Sequence, residues 1–313
     1  MTLQDKIFKY NRNPIISDWF KQQLEKHIAF GVYHNDLAKL RNKLVSDLIE
    51  YREEHRVGTV VLGMSGGIDS ALTAALFKEA GYKVIGVTLP ISQNPEETTR
   101  GIEACKALDI EHKNIDLTTA FKEFVERLSN GAIPLDDTLN DDSIESAKRR
   151  GNIRARLRMI TLYNLASKHN GFVASTDNFS ELAAGFWTLH GDVGDVAPIQ
   201  SLTKSWEVPA LADLLGVPQS IVEAVPTDGL GIANGDEDQF GFSYLEFDIA
   251  LFSLINGGVD MTKLDEADQA VVKEVAKRVR STTYKRQNPY NLFHPIDTDR
   301  FNRLSELDIY LRR

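Results

Sequence analysis

The sequence holds a single cysteine, Cys105, so no intramolecular disulfide can form and no multi-thiolate zinc or iron–sulfur site can be built from this chain. Its seven histidines show no metal-ligand spacing. No apolar run approaches the roughly 18 residues of a membrane helix. The stretch Met1–Asn13 is polar and of mixed charge, without the apolar centre of a signal peptide. These absences lead us to expect a soluble, reduced, cytoplasmic protein. An excess of positive charge is also missing: 36 Lys and Arg stand against 45 Asp and Glu, a formal net charge of −9. Such a chain has no overall field for coating nucleic acid, so neither nucleic acid nor a membrane is expected as a partner. There is no internal repeat, no low-complexity tract and no Pro/Gly/Ser linker. With 313 residues, 42% of them apolar, the chain has material for one sizeable core.

The hydrophobic pattern begins with helical periods over Ile16–Phe30 and Asn35–Arg56. An alternation follows. Thr59–Leu62 reads as a buried strand, Asp69–Ala80 as a helix, Lys83–Val87 as a strand and Pro95–Leu108 as a helix. His112–Ile115 is a weak third strand, Thr118–Leu128 a helix, and Ser129–Asp142 a loop. Ile144–Lys168 is a long helix, Gly171–Ala174 a strand, and a helix starts near Phe179. Strands and helices alternating at this spacing predict an α/β fold, a parallel sheet with right-handed crossovers. Beyond it, Trp206–Leu215, Pro218–Ala224, Phe242–Leu254 and Leu264–Arg280 read as helices, and Val225–Gln239 as a loop. We expect one domain: a helical arm over 1–56, a nucleotide-binding core over 57–240 and a helical segment over 241–313. Cys105 is expected on the core face of its helix.

The sharpest motif is Gly63, Met64, Ser65, Gly66, Gly67, Ile68, Asp69 and Ser70, between a predicted strand and a predicted helix. Adjacent glycines let backbone N–H groups curl inward, and the helix start adds free N–H groups and its dipole, which suits phosphate. The Gly-Lys-Ser/Thr ending of a Walker A loop is absent, and so is the G-x-G-x-x-G spacing of dehydrogenases. In place of the lysine stands Asp69, a carboxylate that fits beside phosphates if it holds Mg²⁺.

Ser65–Ser70 resembles the loop of the N-type ATP pyrophosphatases (the PP-loop superfamily), which cleave ATP between the α and β phosphates and activate a substrate as an adenylate. Within that group, Gly151–Met159 resembles the Gly-Asn-x-x-Ala-Arg-x-Arg-Met helix of the ammonia-dependent NAD synthetases. Ser175–Glu181 resembles their Gly-Thr-Asp/Gly-x-x-x-Glu segment, and Phe186–Pro198, Pro226–Leu230, Asp236–Tyr244 and Tyr284–Arg286 follow in family order. The resemblance implies an adenine-nucleotide alpha-hydrolase-like fold, ATP as co-substrate and Mg²⁺ on Asp69 and Glu181. It implies ATP contacts from the loop, Thr176, Lys204 and Thr227. It places the grip on deamido-NAD at Arg156, Asp195, Tyr284 and Lys285, with the last segment reaching the substrate from the neighbouring subunit of a homodimer. Asp69 and Lys204 are expected to act in catalysis, and Asp177 is the candidate base for ammonia.

The implied reaction is amidation of deamido-NAD to NAD⁺ by ammonia, releasing AMP and pyrophosphate. No part of the chain is left for a glutaminase, so free ammonia, or ammonia from a separate protein, is the expected donor. Three positions and one loop length depart from the family pattern. Leu189 replaces a lysine that contacts the anionic substrate, Tyr284 a histidine and Thr88 an arginine, and the loop ending at Asp195 is one residue shorter. Losing the lysine removes a charge-assisted contact. Another PP-loop ligase and a nucleotide-binding member without turnover are the alternatives.

Overall fold

The computed structural model describes residues 1–130, 135–136, 138–224, 237 and 241–287. The predicted loop Val225–Gln239, with Thr227 in it, lies outside them apart from Glu237. Four parallel strands form one sheet in the order β3-β2-β1-β4: β1 Thr59–Gly63, β2 Lys83–Thr88, β3 Glu111–Asn114 and β4 Phe172–Val173. Alternation along the strands sorts side chains to two faces, as a pleat requires. Val60, Leu62 and Val84 join one core with Leu72, Leu76 and Phe77 of helix α4 (Ile68–Glu79). Val61, Ile85, Val87 and Val173 join another with Met159, Leu162 and Ala166 of helix α7 (Ile144–Lys168). Both faces are covered, so β1, β2 and β4 read as apolar runs, while the edge strand β3 is polar.

β1, β2 and β3 step one way across the sheet, and β4 returns to the other side of β1. The crevice between β1 and β4 is the topological switch point, where ligands sit outside the carboxyl ends of the strands. Helices α5 (Pro95–Ala107) and α6 (Thr118–Ser129) complete the crossovers, and α8 (Phe179–Ala184) follows β4. The remaining described helices are α1 Leu3–Tyr10, α2 Asp18–Ala29, α3 Leu37–His55, α9 Glu207–Leu214, α10 Gln219–Val222, α11 Tyr244–Ile255, α12 Glu266–Ser281 and α13 Thr283–Arg286, with a 3₁₀ turn at Met261–Lys263.

The predicted elements form within one or two residues of their expected ends, Pro218–Ala224 shortening at both to the four residues of α10. Helices α1 and α13 were not expected. For α1 the local reason is a capping box. The Thr2 hydroxyl accepts from the Asp5 N–H, the Asp5 carboxylate accepts from the Thr2 N–H, and Ile7 is fully buried. Helices α1 and α2 share a third core with α11 and α12, in which Ile7, Phe20 and Leu24 pack with Leu245, Phe247 and Val275. Cys105 is buried on the core side of α5, as expected. Among the described residues no helix is long and apolar enough to cross a membrane.

Candidate active site

The glycine loop links β1 to α4 at the switch point. Gly66 takes φ +87°, and a Cβ there would lie 2.1 Å from the Glu97 carbonyl oxygen. Only glycine lets the loop pass this close to the start of α5. The Ser65 hydroxyl accepts from the Gly67 N–H at 3.2 Å, and the Ser70 hydroxyl donates to the Gly67 carbonyl at 2.9 Å. Gly67 precedes α4 with no side-chain cap, so the first N–H groups of this twelve-residue helix remain available to an anion.

Asp69, in the first turn of α4, is gripped from two directions. The Asn178 amide donates to one carboxylate oxygen at 2.9 Å, and the Lys204 ammonium pairs with the other. The same ammonium lies 3.4 Å from the Glu181 carboxylate. Asn178 is fully buried and caps α8: its oxygen accepts from the Glu181 N–H at 3.0 Å, while Glu181 reaches back to the Asn178 N–H at 3.4 Å. One residue therefore fixes both carboxylates.

Asp177 is buried beside them and accepts from the Ser175 hydroxyl at 3.1 Å. Burial first, then the nearby Asp192 carboxylate, push its pKa up to about 7. Burial also raises the Asp192 pKa.

These groups open on one cavity of about 320 Å³. Gly63, Met64, Ser65, Gly66, Gly67, Ile68, Asp69, Ser70, Thr176, Asp177, Glu181 and Lys204 all line it. The four residues expected on the substrate are elsewhere. Arg156 donates to the Leu189 carbonyl at 3.1 Å. Asp195 accepts from the Tyr163 hydroxyl at 2.7 Å and the Val173 N–H at 2.9 Å, which ties the loop to β4. Tyr284 is 63% exposed. The Lys285 ammonium, expected to face a neighbouring subunit, donates within its own chain to the Gly185 and Trp187 carbonyls and lies 5.4 Å from the Trp187 ring. Lys285 thus braces the turn that brings Phe186 and Trp187 to the cavity wall.

The three arginines of α7 go three ways. Arg154 stacks 5.0 Å over Phe121, Arg156 meets Leu189, and Arg158 points into the cavity. Arg158 donates to the Leu89 carbonyl at 3.0 Å and the Gln93 side chain at 2.7 Å, and burial lowers its pKa. Sequence reasoning gave Arg158 and Asn178 no role. For Arg158 a signal existed: with Ala155, Met159 and Leu162 it lies on the buried stripe of α7.

Among the described residues no three His, Cys, Asp or Glu side chains converge as a metal cage. Asp69 and Glu181, which converge on one ammonium, are the carboxylates that could hold a cation. They suit Mg²⁺, which binds through one or two carboxylates and completes its shell with water and phosphate oxygens.

A family model described as NAD synthase matches residues 40–289. The NH₃-dependent NAD⁺ synthetase of Pyrococcus furiosus is 35% identical over 257 residues, covering 79% of this chain and 93% of that protein. Among solved structures, the NMN synthetase of Francisella tularensis is 28% identical with a TM-score of 0.68, covering 83% of this chain and 99% of that one. The NH₃-dependent NAD synthetase of Campylobacter jejuni, solved with a nitrate ion, is 28% identical with a TM-score of 0.65 and covers 82% and 100%. The chain is therefore an enzyme, a ligase, and belongs to the NAD synthase family.

Proposed function

We propose that this enzyme amidates deamido-NAD to NAD⁺ with ammonia at the expense of ATP. The observation that carries the reading is one cavity at the carboxyl edge of the sheet holding a glycine phosphate loop, two carboxylates and a lysine. A carboxylate and ammonia do not condense in water unaided. The nicotinate carboxylate attacks the α-phosphate of ATP, an acyl adenylate forms and pyrophosphate leaves. Ammonia then attacks the acyl carbon and AMP departs.

The chain's task is to position groups and neutralise charge. The loop N–H groups and the Ser65 and Ser70 hydroxyls would take the β and γ phosphates. Asp69 and Glu181 would hold Mg²⁺, which supplies charge neutralisation on the departing pyrophosphate. Lys204, now paired with both carboxylates, would turn its ammonium to the incoming phosphate oxygens. Thr176 and Thr227 would contact ATP, and Arg156, Asp195, Tyr284 and Lys285 the dinucleotide, the last two from the neighbouring subunit of a homodimer. Arg158 sits where it can meet an anionic group inside the cavity. Asp177, with a pKa near neutrality, can accept the proton that the attacking nitrogen must lose.

A second reading replaces the dinucleotide with nicotinate mononucleotide. The likeness to a chain described as an NMN synthetase favours it, as does Leu189 in place of a lysine. One assay separates the two: purified protein with ATP, Mg²⁺, ammonium and either substrate. We expect AMP, pyrophosphate and NAD⁺ in equal amounts from deamido-NAD, and no turnover with glutamine as sole donor. Release of ADP would refute the adenylate mechanism, and preference for the mononucleotide would establish the second reading.

A further inference from the structure

Asp248 is a fully buried carboxylate in the middle of α11, a helix that buries eight of its twelve residues. Among the described residues it has no cationic partner. Burying a carboxylate without a counter-ion is unfavourable, and an apolar side chain would pack the same space more stably. The carboxylate instead accepts two hydrogen bonds, one of which is relayed to a third. One oxygen accepts from the Ser180 hydroxyl at 2.6 Å, and the other from the Ser205 N–H at 3.2 Å. The Ser180 hydroxyl oxygen in turn accepts from the Lys204 N–H at 3.0 Å.

Each link ends beside the charged groups of the cavity. Ser180 precedes Glu181 and lies two residues after Asn178, which grips Asp69. Ser205 follows Lys204, whose ammonium joins both carboxylates. The start of α8 and the Lys204–Ser205 segment belong to different elements, and the Asp248 carboxylate bonds to both. A backbone shift at either segment moves a charged tip, and misplacement by about 1 Å can cost a hundredfold in rate.

We propose that Asp248, acting through Ser180, is a positioning residue that holds Lys204 and Glu181 in register for MgATP. The inference rests on reading the cavity as the MgATP site. Its readout is binding rather than turnover. Titration calorimetry on the folded protein should give about tenfold weaker MgATP binding for Asp248→Ala and for Ser180→Ala, with deamido-NAD binding within twofold of native. Asp248→Asn should stay within about threefold, because its amide oxygen can accept from Ser205 and its NH₂ can donate to Ser180.

Should Asp248→Ala fail to fold, Ser180→Ala leaves the buried carboxylate and the helix packing in place and carries the test. If Asp248 only fills the core, the alanine variants will lose thermal stability yet bind MgATP within twofold of native, and the inference falls. It falls equally if deamido-NAD binding weakens in parallel. If the native protein itself binds no MgATP, the nucleotide reading of the cavity fails and takes this inference with it.

Discussion

Lys204→Met is the most direct test of the cavity's electrostatics. The ammonium is 8% exposed at the side chain, and Asp69 and Glu181 are 16% exposed each. Removing it leaves two carboxylates facing one another with little water. Breaking a buried pair by deleting one partner costs roughly 3–5 kcal/mol. Some water reaches both carboxylates, so the low end applies, about 3 kcal/mol. At about 2 °C per kcal/mol for a chain of this size, the melting midpoint should drop by about 6 °C in the presence of chelator. Magnesium can replace the lost charge. At ten times its dissociation constant it returns about 1.4 kcal/mol, or about 3 °C. In the native protein the ammonium competes for the same carboxylates, so magnesium alone should raise its midpoint by less. Differential scanning fluorimetry of both proteins, with chelator and with magnesium, measures all four values. Equal stability in chelator, or the same magnesium shift in both proteins, would refute the charge arrangement.

The other perturbations address the loop and the buried acid. Gly66→Ala places a methyl 2.1 Å from the Glu97 carbonyl oxygen at a φ of +87°, and should lower both the melting midpoint and ATP affinity, the latter at least tenfold by about 1.4 kcal/mol or more of displaced loop. Native affinity in that variant would show that the loop's shape does not matter. Asp177 has its pKa raised from 3.8 to about 7, so the native state holds a proton that the unfolded state releases. Its contribution to stability is present below about pH 4 and is lost as pH rises to about 7. Urea midpoints should therefore fall more steeply over that window for the native protein than for Asp177→Asn. A shallower native slope would contradict the burial argument.

Local signals made most of the fold legible. The strand-to-helix turn at Gly63–Ser70 and the long amphipathic run of α7 announce themselves within a few residues. β4 pairs through only two residues, yet Gly171 and the apolar run after it were enough to mark it. α1 went unread although Thr2 and Asp5 carry its capping box, because its eight residues give a helical period only two turns in which to show. The cavity's loop, carboxylates and lysine were legible through motif order. Its supports were not. Asn178 bonds to a residue 109 positions away and Asp248 to one 68 positions away, and α11 is apolar on nearly every side, so nothing local separates a working carboxylate from a core residue. The substrate residues differ in kind: Arg156 and Lys285 carry the right chemistry for an anion, but within one chain backbone carbonyls engage them.

The segment 205–213 is tied both to the N-terminal turn and to α11. Asn11 donates to the Ser205 carbonyl across 194 positions, and the Tyr10 hydroxyl to Asp213 across 203. From the other side, Asp248 accepts from the Ser205 N–H. A growing polypeptide thus makes its phosphate loop early and completes the cavity late. Until α11 leaves the ribosome, the N-terminal turn and Lys204 lack the wall they pack against. Ribosome-bound chains halted before residue 244 should hold a folded strand-and-loop unit that cannot retain nucleotide, and binding competence should arrive in one step as the last helices dock.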